Sequence, residues 1–98
     1  METIESLAEV FKAFSDPTRL KLLKLLGEKK GEYCVNALTR MLDVTQSAVS
    51  QHLRILRHVG LVNSRRNGLH IHYSLNNEML KDVKKSMSTI LGKELNLL

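Results

Sequence analysis

The chain has 98 residues, of which 43% are hydrophobic and 26% charged, a composition that excludes a disordered protein and predicts one domain over 1–98. Fifteen Lys and Arg against ten Asp and Glu give a net charge of +5. This excess favours a polyanionic partner such as nucleic acid, although a basic surface without a particular partner has the same charge.

The cysteine content and the N-terminal residues indicate the compartment. Cys34 is the only cysteine, which excludes an internal disulfide and suits a reducing environment. The first residues carry charges and lack the apolar stretch of a signal peptide. Because no apolar run approaches the ~20 residues that cross a bilayer, we expect a cytoplasmic protein without a membrane span.

The spacing of apolar residues predicts a helical first half. In chain order, we expect helices over 4–14, 17–26, 36–42 and 46–59, with a very short strand at 33–35. Asp16 is a suitable N-cap for the second helix, and Gly27 is expected to end it in the left-handed conformation. The leucines of this helix cover a wide face that includes Leu20, so it should lie at the centre of the core. Thr45 is the expected N-cap of the fourth helix.

The apolar period changes from helical to alternating after Gly60. Strands over 61–66 and 69–75 flank Asn67-Gly68, a pair that favours a two-residue type I′ hairpin turn. A last helix is predicted from about residue 76 or 77 to Leu95. This order predicts a mainly α fold with a β-hairpin wing, the winged helix-turn-helix class.

The fourth helix carries a polar stripe of the kind that reads DNA. Val49, Leu53 and Leu56 should face the core. The opposite stripe consists of adaptable polar or basic side chains: Gln46, Ser47, Ser50, Gln51, Arg54 and Arg57. No acidic residue occurs between Thr45 and Arg66, so nothing there repels phosphates. A merely solvated helix explains the inward residues equally well, but it does not explain the missing acids.

The hairpin is a second basic element. Arg65 and Arg66 precede its tip at Asn67, and His70 and His72 follow it. A hairpin tip can reach phosphates or the adjacent minor groove, and Arg66 is the stronger candidate for a contact with the DNA backbone. The alternative for each of these residues is a solvated charge.

Three stretches identify a resemblance: AFSDPTRLKLL at 13–23, TQSAVSQHLRILRHVGLV at 45–62 and RRNGLHIHYSL at 65–75. In this order they resemble the ArsR/SmtB (arsenical-repressor) family of bacterial and archaeal transcriptional regulators. The resemblance implies a homodimer, joined through its first and last helices, that binds an inverted repeat in double-stranded DNA and usually represses transcription.

The resemblance also implies functional residues. The implied DNA contacts are Thr45, Gln46, Ser47, Ser50, Gln51, His52, Arg54, Arg65, Arg66, Asn67 and His70. The implied dimer contacts are Ile4, Leu7, Phe11, Val83, Met87, Ile90 and Leu91. We expect His52 to be partly structural, and Arg19 to form a structural salt bridge rather than a DNA contact. Part of the last helix is also expected to pack on its own domain.

Both metal sites of the family lack ligand residues in this sequence. One uses the segment ELCVC, and here Glu32-Tyr33-Cys34-Val35-Asn36 has Asn36 in place of the second sulfur. One thiolate cannot build a thiolate shell. The other site uses Asp, His and Glu side chains of the last helix, but residues 77–93 contain no histidine. We therefore expect no metal and no cofactor.

Other effectors stay open at this point. His70 and His72 could hold a metal together with His52 or His58, although phosphate contact or simple exposure is commoner. Cys34 could act as a lone redox switch, but an inert buried thiol is favoured. The leading hypothesis is regulation without a small molecule, by the abundance of the protein or by a partner protein.

Two other functional classes compete with a sequence-specific repressor. A winged helix that binds protein or RNA would not need the neutral polar face TQSAVSQ. An enzyme finds no support, because no nucleophile spacing, metal-hydrolase spacing or Gly-rich phosphate loop occurs. We therefore predict a repressor, with a redox-responsive regulator or an interaction module as alternatives.

Overall fold

The computed structural model describes residues 3–28 and 32–92. In chain order these residues form α1 (Ile4–Phe14), α2 (Pro17–Glu28), β1 (Tyr33–Cys34), α3 (Val35–Leu42), α4 (Gln46–His58), β2 (Val62–Asn67), β3 (His70–Leu75) and α5 (Asn77–Leu91). The predicted order of elements is confirmed, with a hairpin wing directly after the helix-turn-helix of α3 and α4. The chain therefore has the winged helix-turn-helix fold.

Two predicted caps set the starts of α2 and α4. The carboxylate of Asp16 accepts a hydrogen bond from the backbone N–H of Arg19 at 3.1 Å. The hydroxyl of Thr45 accepts one from the backbone N–H of Ala48, also at 3.1 Å. Each bond satisfies a donor that has no partner within its helix. Asp43 ends α3 with a left-handed φ of 54°, which begins the predicted turn before Thr45.

The predicted end of α2 is wrong. The helix continues through Gly27 to Glu28, and Gly27 does not have a positive φ. A Cβ atom at this position would lie 3.2 Å from Cδ1 of Leu75, closer than ordinary van der Waals contact. The glycine therefore allows β3 to approach α2, rather than ending the helix.

Asn76 joins the wing to the rest of the domain. Its side-chain amide donates to the carbonyl of Gly60 at 2.9 Å, and it is also the N-cap of α5. The helix then ends at Leu91, where Gly92 has a left-handed φ of 66°. The predicted continuation to Leu95 lies outside the described residues.

The hairpin turn differs from the prediction by one position. Strands β2 and β3 pair antiparallel as far as Asn67 opposite His70, which leaves Gly68 and Leu69 as the turn. Gly68 has a φ of 66°, and neither Asn67 nor Leu69 has a positive φ. A positive φ at the first turn position alone matches type II′ and not the predicted type I′. Strand β1 pairs with the other side of β3, so the strand order is β1-β3-β2.

One buried apolar cluster joins the helices to the start of the hairpin. Its buried members are Leu7, Val10, Ala13, Leu22, Leu26, Leu38, Val49, Leu53, Leu56, Leu61, Val62 and Val83. Helix α2 contacts α1, α3, α4 and β3, which confirms its predicted central place. Leu20 of this helix is nevertheless 49% exposed, so its assignment to the core face was wrong.

Candidate nucleic-acid interface

Three buried side chains determine how α4 is rotated about its axis. Val49, Leu53 and Leu56 have no exposed surface, as their spacing predicts. Because successive residues of a helix are about 100° apart, the side chains on the opposite side are directed outward. The orientation of the polar stripe is thus a consequence of core packing.

The predicted polar stripe of α4 lies on the surface. Gln46, Ser47, Gln51 and Arg54 are exposed, and Ser50 is half-buried. Within residues 3–28 and 32–92, none of these five side chains has a hydrogen-bond or ion-pair partner. Their donors and acceptors are therefore available for base edges and phosphates.

Thr45 and Arg57, the last residue of the predicted stripe, have contacts within the protein. The hydroxyl of Thr45, a predicted DNA contact, caps α4. Nη1 of Arg57 donates to Oγ of Ser64 in β2 at 3.2 Å. This bond links the C-terminal end of α4 to the first half of the wing.

His52 lies at a junction between helices. Its side chain is 22% exposed, and its Nδ1 is 3.3 Å from Nη1 of Arg19 and 3.8 Å from Oδ2 of Asp16. Because a guanidinium group only donates, Nδ1 is the acceptor in its contact with Arg19. These contacts agree with a partly structural role. The contact of His52 with DNA stays a prediction.

Arg19 is structural, but none of its contacts with the described residues is the predicted salt bridge. Its Nε donates to the carbonyl of Ala13 at 2.8 Å and its Nη2 to the carbonyl of Lys12 at 3.3 Å. Both carbonyls belong to the last turn of α1, where helical acceptors lack their i+4 partner. Arg19 thus ties α1 to α2 and, through His52, to α4.

The N-cap Asp16 belongs to the same junction. The pKa of its carboxyl group is lowered, chiefly by the hydrogen bond from the backbone N–H of Arg19, and further by the charges of His52 and Arg19. Partial burial opposes this effect. Asp16 therefore stays ionised beside the imidazole of His52 at neutral pH.

The side chains of the wing divide between two faces. Residues paired directly across strands point to the same face, so Arg66 shares a face with Ile71, and Arg65 shares one with His72. Ile71 is two residues from Tyr73, which packs against the core. The inner face, turned toward the helices, carries Ser64, Arg66, Ile71 and Tyr73. The outer face carries Arg65, Asn67, His70 and His72.

Arg65 is held by an acidic partner. Its Nε donates to Oε2 of Glu32 at 3.0 Å, and its Nη2 donates to Oε1 of the same carboxylate. The hydrogen bond from Arg65 is the main cause that lowers the pKa of Glu32, and the same bond raises the pKa of Arg65. A phosphate would have to compete with Glu32 for this arginine. Arg66, by contrast, is exposed and has no ion-pair partner in the described ranges.

A groove of about 270 Å³ lies between the wing and the N-terminal part of α4; we call it the wing groove. Its lining consists of Cys34, Val35, Asn36, Gln46, Ser50, Leu69, His70, Ile71 and Tyr73. The groove joins the polar stripe of α4 to the tip of the wing, where Asn67 and His70 are both exposed. Cys34 is a half-buried free thiol on its wall, and a redox role for it stays a prediction.

The predicted dimer residues fall into two groups. Leu7 is 3% and Val83 6% exposed, so both belong to the core of the protomer and offer little surface to a second chain. A contact of either residue with a second chain stays a prediction. The other predicted residues are the half-buried Met87 and the exposed Ile4, Phe11, Ile90 and Leu91. A groove of about 350 Å³ between α1 and α5 is lined in part by Ile4 and Ile90.

The residues expected to be candidates for a metal site do not converge. In the described part of the chain, no three His, Cys, Asp or Glu side chains are placed to hold an ion together.

The helices within residues 3–28 and 32–92 are too short or too polar to cross a membrane.

Sequence reasoning missed the contacts that hold the interface in place. Glu32 reads as a loop residue, yet it pairs with Arg65, which is 33 positions away. Arg19 and His52 are also 33 positions apart. Neither pair has a local sequence signal, because both depend on how the strands and helices are arranged in space.

Comparisons with known proteins agree with this geometry. The profile of the family described as "Bacterial regulatory protein, arsR family" matches residues 16–64. An uncharacterised HTH-type transcriptional regulator of Methanocaldococcus jannaschii is 42% identical over 85 residues, which cover 87% of this chain and 94% of that protein. The transcriptional repressor SdpR of Bacillus subtilis is 37% identical over 84 residues, which cover 86% of this chain and 91% of the repressor.

A solved structure shows the same arrangement. An ArsR-like transcriptional regulator from Rhodococcus sp. RHA1 matches with a TM-score of 0.83 at 30% identity, and the match covers 94% of this chain and 85% of that one. The likeness therefore includes the terminal helices and the wing, beyond the 16–64 segment that the family profile matches.

Proposed function

This chain belongs to the arsR family of bacterial regulatory proteins, and on that premise we propose that it acts in the cytoplasm as a homodimer that binds an inverted-repeat operator and represses transcription. It is a DNA-binding transcriptional regulator and not an enzyme. Four properties are proposals: the cytoplasmic location, the homodimer, the inverted repeat of the operator, and repression as the effect on transcription.

The observation that carries the proposal is the unpartnered polar stripe of α4. Gln46, Ser47, Ser50, Gln51 and Arg54 have donors and acceptors that no described residue occupies. No acidic residue occurs at 44–75, a range that contains α4 and the whole wing. A surface of this kind accepts a polyanion and can discriminate base edges in the major groove.

The exposed apolar residues of the terminal helices support the homodimer. Ile4 is 72%, Ile90 54% and Leu91 58% exposed, which is costly for large apolar side chains unless a partner covers them. A two-fold dimer presents two copies of α4, and an operator for it has two half-sites about one helical turn of DNA apart.

The proposal includes no metal effector. Cys34 is the only cysteine of the chain, and Asn36 stands where a second thiolate would be needed. The abundance of the regulator or a partner protein then determines its occupancy on DNA. Oxidation of Cys34 is the alternative that the following experiment also addresses.

The test is a titration of labelled DNA from upstream of the gene of this protein, followed by fluorescence anisotropy, with a scrambled duplex as the control. We expect a preference of at least ~10³ for the natural duplex. Gln51→Glu, which adds a negative charge to the stripe, should weaken binding at least ~10-fold. Asn77→Asp adds the same charge on exposed α5 and should leave binding unchanged. Sedimentation of the same sample should give twice the chain mass of 11.1 kDa.

Other outcomes have clear meanings. Equal binding of both duplexes by the wild type would contradict sequence-specific regulation at that site and favour a protein or RNA partner. Repeating the titration with zinc and then with an oxidant tests the effector. Loss of binding with zinc would contradict the absence of a metal effector, and loss with the oxidant would support the Cys34 alternative.

A further inference from the structure

The tip of the wing carries an apolar side chain that nothing covers. Leu69 is 98% exposed, and Ile71, the next residue on the same side of the chain, is 39% exposed. Turn positions are usually occupied by small or polar residues, and Gly68 alone provides the positive φ of this turn. Leu69 therefore has no role in folding that the structure reveals.

The surroundings of this leucine point to the DNA-facing side. Leu69 and Ile71 line the wing groove together with Gln46 and Ser50 of the polar stripe. Arg66 pairs directly with Ile71 and lies on the same inner face. Ile71 thus adjoins both the residues that would read the major groove and a cation that would bind phosphate.

We propose that Leu69 and Ile71 form an apolar contact that packs against the deoxyribose walls of the minor groove next to the half-site read by α4. The contact rests on the proposed function, and it assigns to the wing a component of affinity that does not come from charge. Leu69, at the tip of the wing, enters the minor groove of the DNA. Ile71 packs against the sugars of the DNA strand that passes through the wing groove.

Duplex DNA is the occupant that the surroundings favour. The apolar surface is continuous with the polar stripe through the wing groove, and the flanking Arg66 and His70 are complementary to phosphate. The apolar surface itself is only two side chains wide, which is small for a protein-binding patch. The minor groove accepts apolar side chains, because its walls are sugar C–H groups and its base steps can open around a wedge.

The proposal separates two contributions of the wing by their response to salt. A cation that neutralises a phosphate releases counterions, so its removal lowers the slope of log affinity against log salt concentration by about 1. An apolar contact releases none. Removal of the leucine should lower affinity by the same factor at every salt concentration.

The experiment compares variants of the full-length chain on the operator. Leu69→Ala should weaken operator binding about 10-fold with an unchanged salt slope, and Leu69→Met should keep most of the affinity. Arg66→Gln should lower the slope. Leu20→Ala, at a site that is 49% exposed on α2, is the control for the loss of an exposed leucine. Since Leu69 is 98% exposed, its variants should fold normally.

Hydroxyl-radical footprinting locates the contact, because this reagent attacks deoxyribose from the minor groove. The wild type should protect a patch of sugars beside each half-site, and Leu69→Ala should lose that patch while protection of guanine N7 in the major groove persists. Affinity within twofold of the wild type, or an unchanged sugar footprint, would overturn the proposal. Failure of the wild type to prefer its operator would instead overturn the proposed function.

Discussion

Helix α4 and the wing border the same groove, but the protein holds them by different means. Val49, Leu53 and Leu56 anchor α4 and are completely buried. The outer half of the wing has no comparable anchor, since Leu69 is 98% exposed. Val62 and Tyr73 pack the base of the wing against the core. Further side-chain contacts of the wing are polar: the ion pair of Arg65 with Glu32 and the bond from Arg57 to Ser64.

From this difference we infer which part of the candidate interface should respond to the salt concentration. Apolar packing is insensitive to salt, whereas exposed ion pairs weaken as the salt concentration rises and the screening length falls below about 10 Å. The orientation of α4 should therefore persist across solution conditions, and that of the wing should depend on them. The proposed reading of bases by α4 and the proposed binding of the DNA backbone by the wing would then vary separately.

The largest expected effect is the loss of stability when one of the three buried side chains of α4 is truncated. Leu53→Ala should lower the free energy of unfolding by about 2–5 kcal/mol, because it leaves a cavity in a fully buried site, and operator binding should be lost with it. Ile71→Ala in the wing should cost less than about 1 kcal/mol. Urea denaturation followed by circular dichroism measures both. Ile55→Ala, at a 36% exposed position of α4, is the matched control, and an equal cost at positions 53 and 71 would contradict the comparison.

A smaller effect, on affinity for DNA, is expected from breaking the ion pair between Glu32 and Arg65. Glu32→Gln removes the charge that holds Arg65, so affinity at low salt should rise a few-fold and the salt slope should steepen by up to about 1. Stability should change little, since exposed ion pairs contribute little. Glu28→Gln removes an equal charge from an i,i+4 pair with Lys24 on α2 and serves as the control. Weaker binding by Glu32→Gln would show instead that the ion pair is needed to position the wing.

The smallest expected effect is the loss of stability when the pH is lowered. Asp16 supports α4 through His52, Glu32 supports the wing, and both carboxyl groups have lowered pKa values in the folded protein. Between the ordinary and the lowered pKa the unfolded chain binds more protons, so the free energy of unfolding falls as the pH falls. The stabilisation is complete above the ordinary carboxyl pKa and is lost as the pH drops through the folded values.

Urea titrations between pH 7 and about pH 3 measure this dependence. Asp16→Asn and Glu32→Gln should each make the stability less dependent on pH. Unchanged curves in both variants would show that neither carboxylate contributes in the way the structure indicates.

The sequence predicted what depends on neighbouring residues and missed what depends on distant ones. The period of the apolar residues located every helix and strand, and it oriented α4 correctly through Val49, Leu53 and Leu56. Gly27 was misread because a glycine near the end of a helix usually ends it, whereas here Leu75 requires the space. No local pattern can reveal that approach.

The same reason explains the errors at the candidate site. Arg19 was assigned a carboxylate partner because charges are visible in a sequence, while the carbonyls of Ala13 and Lys12 that accept its hydrogen bonds are not. The burial of Leu7 and Val83 within the protomer was likewise not visible in the sequence, because it depends on how α1 and α5 are placed on the core.

The strand order β1-β3-β2 leaves β2 at one edge of the sheet. The backbone groups of such an edge are a template onto which another chain can add a strand, and charged side chains are a common protection against this pairing. Arg65 and Arg66 are consecutive residues of β2 and put a positive charge on each face of this edge, so two copies brought edge to edge would repel each other. The cations proposed to bind a phosphate backbone should thus also help to keep this protein from aggregating through its sheet.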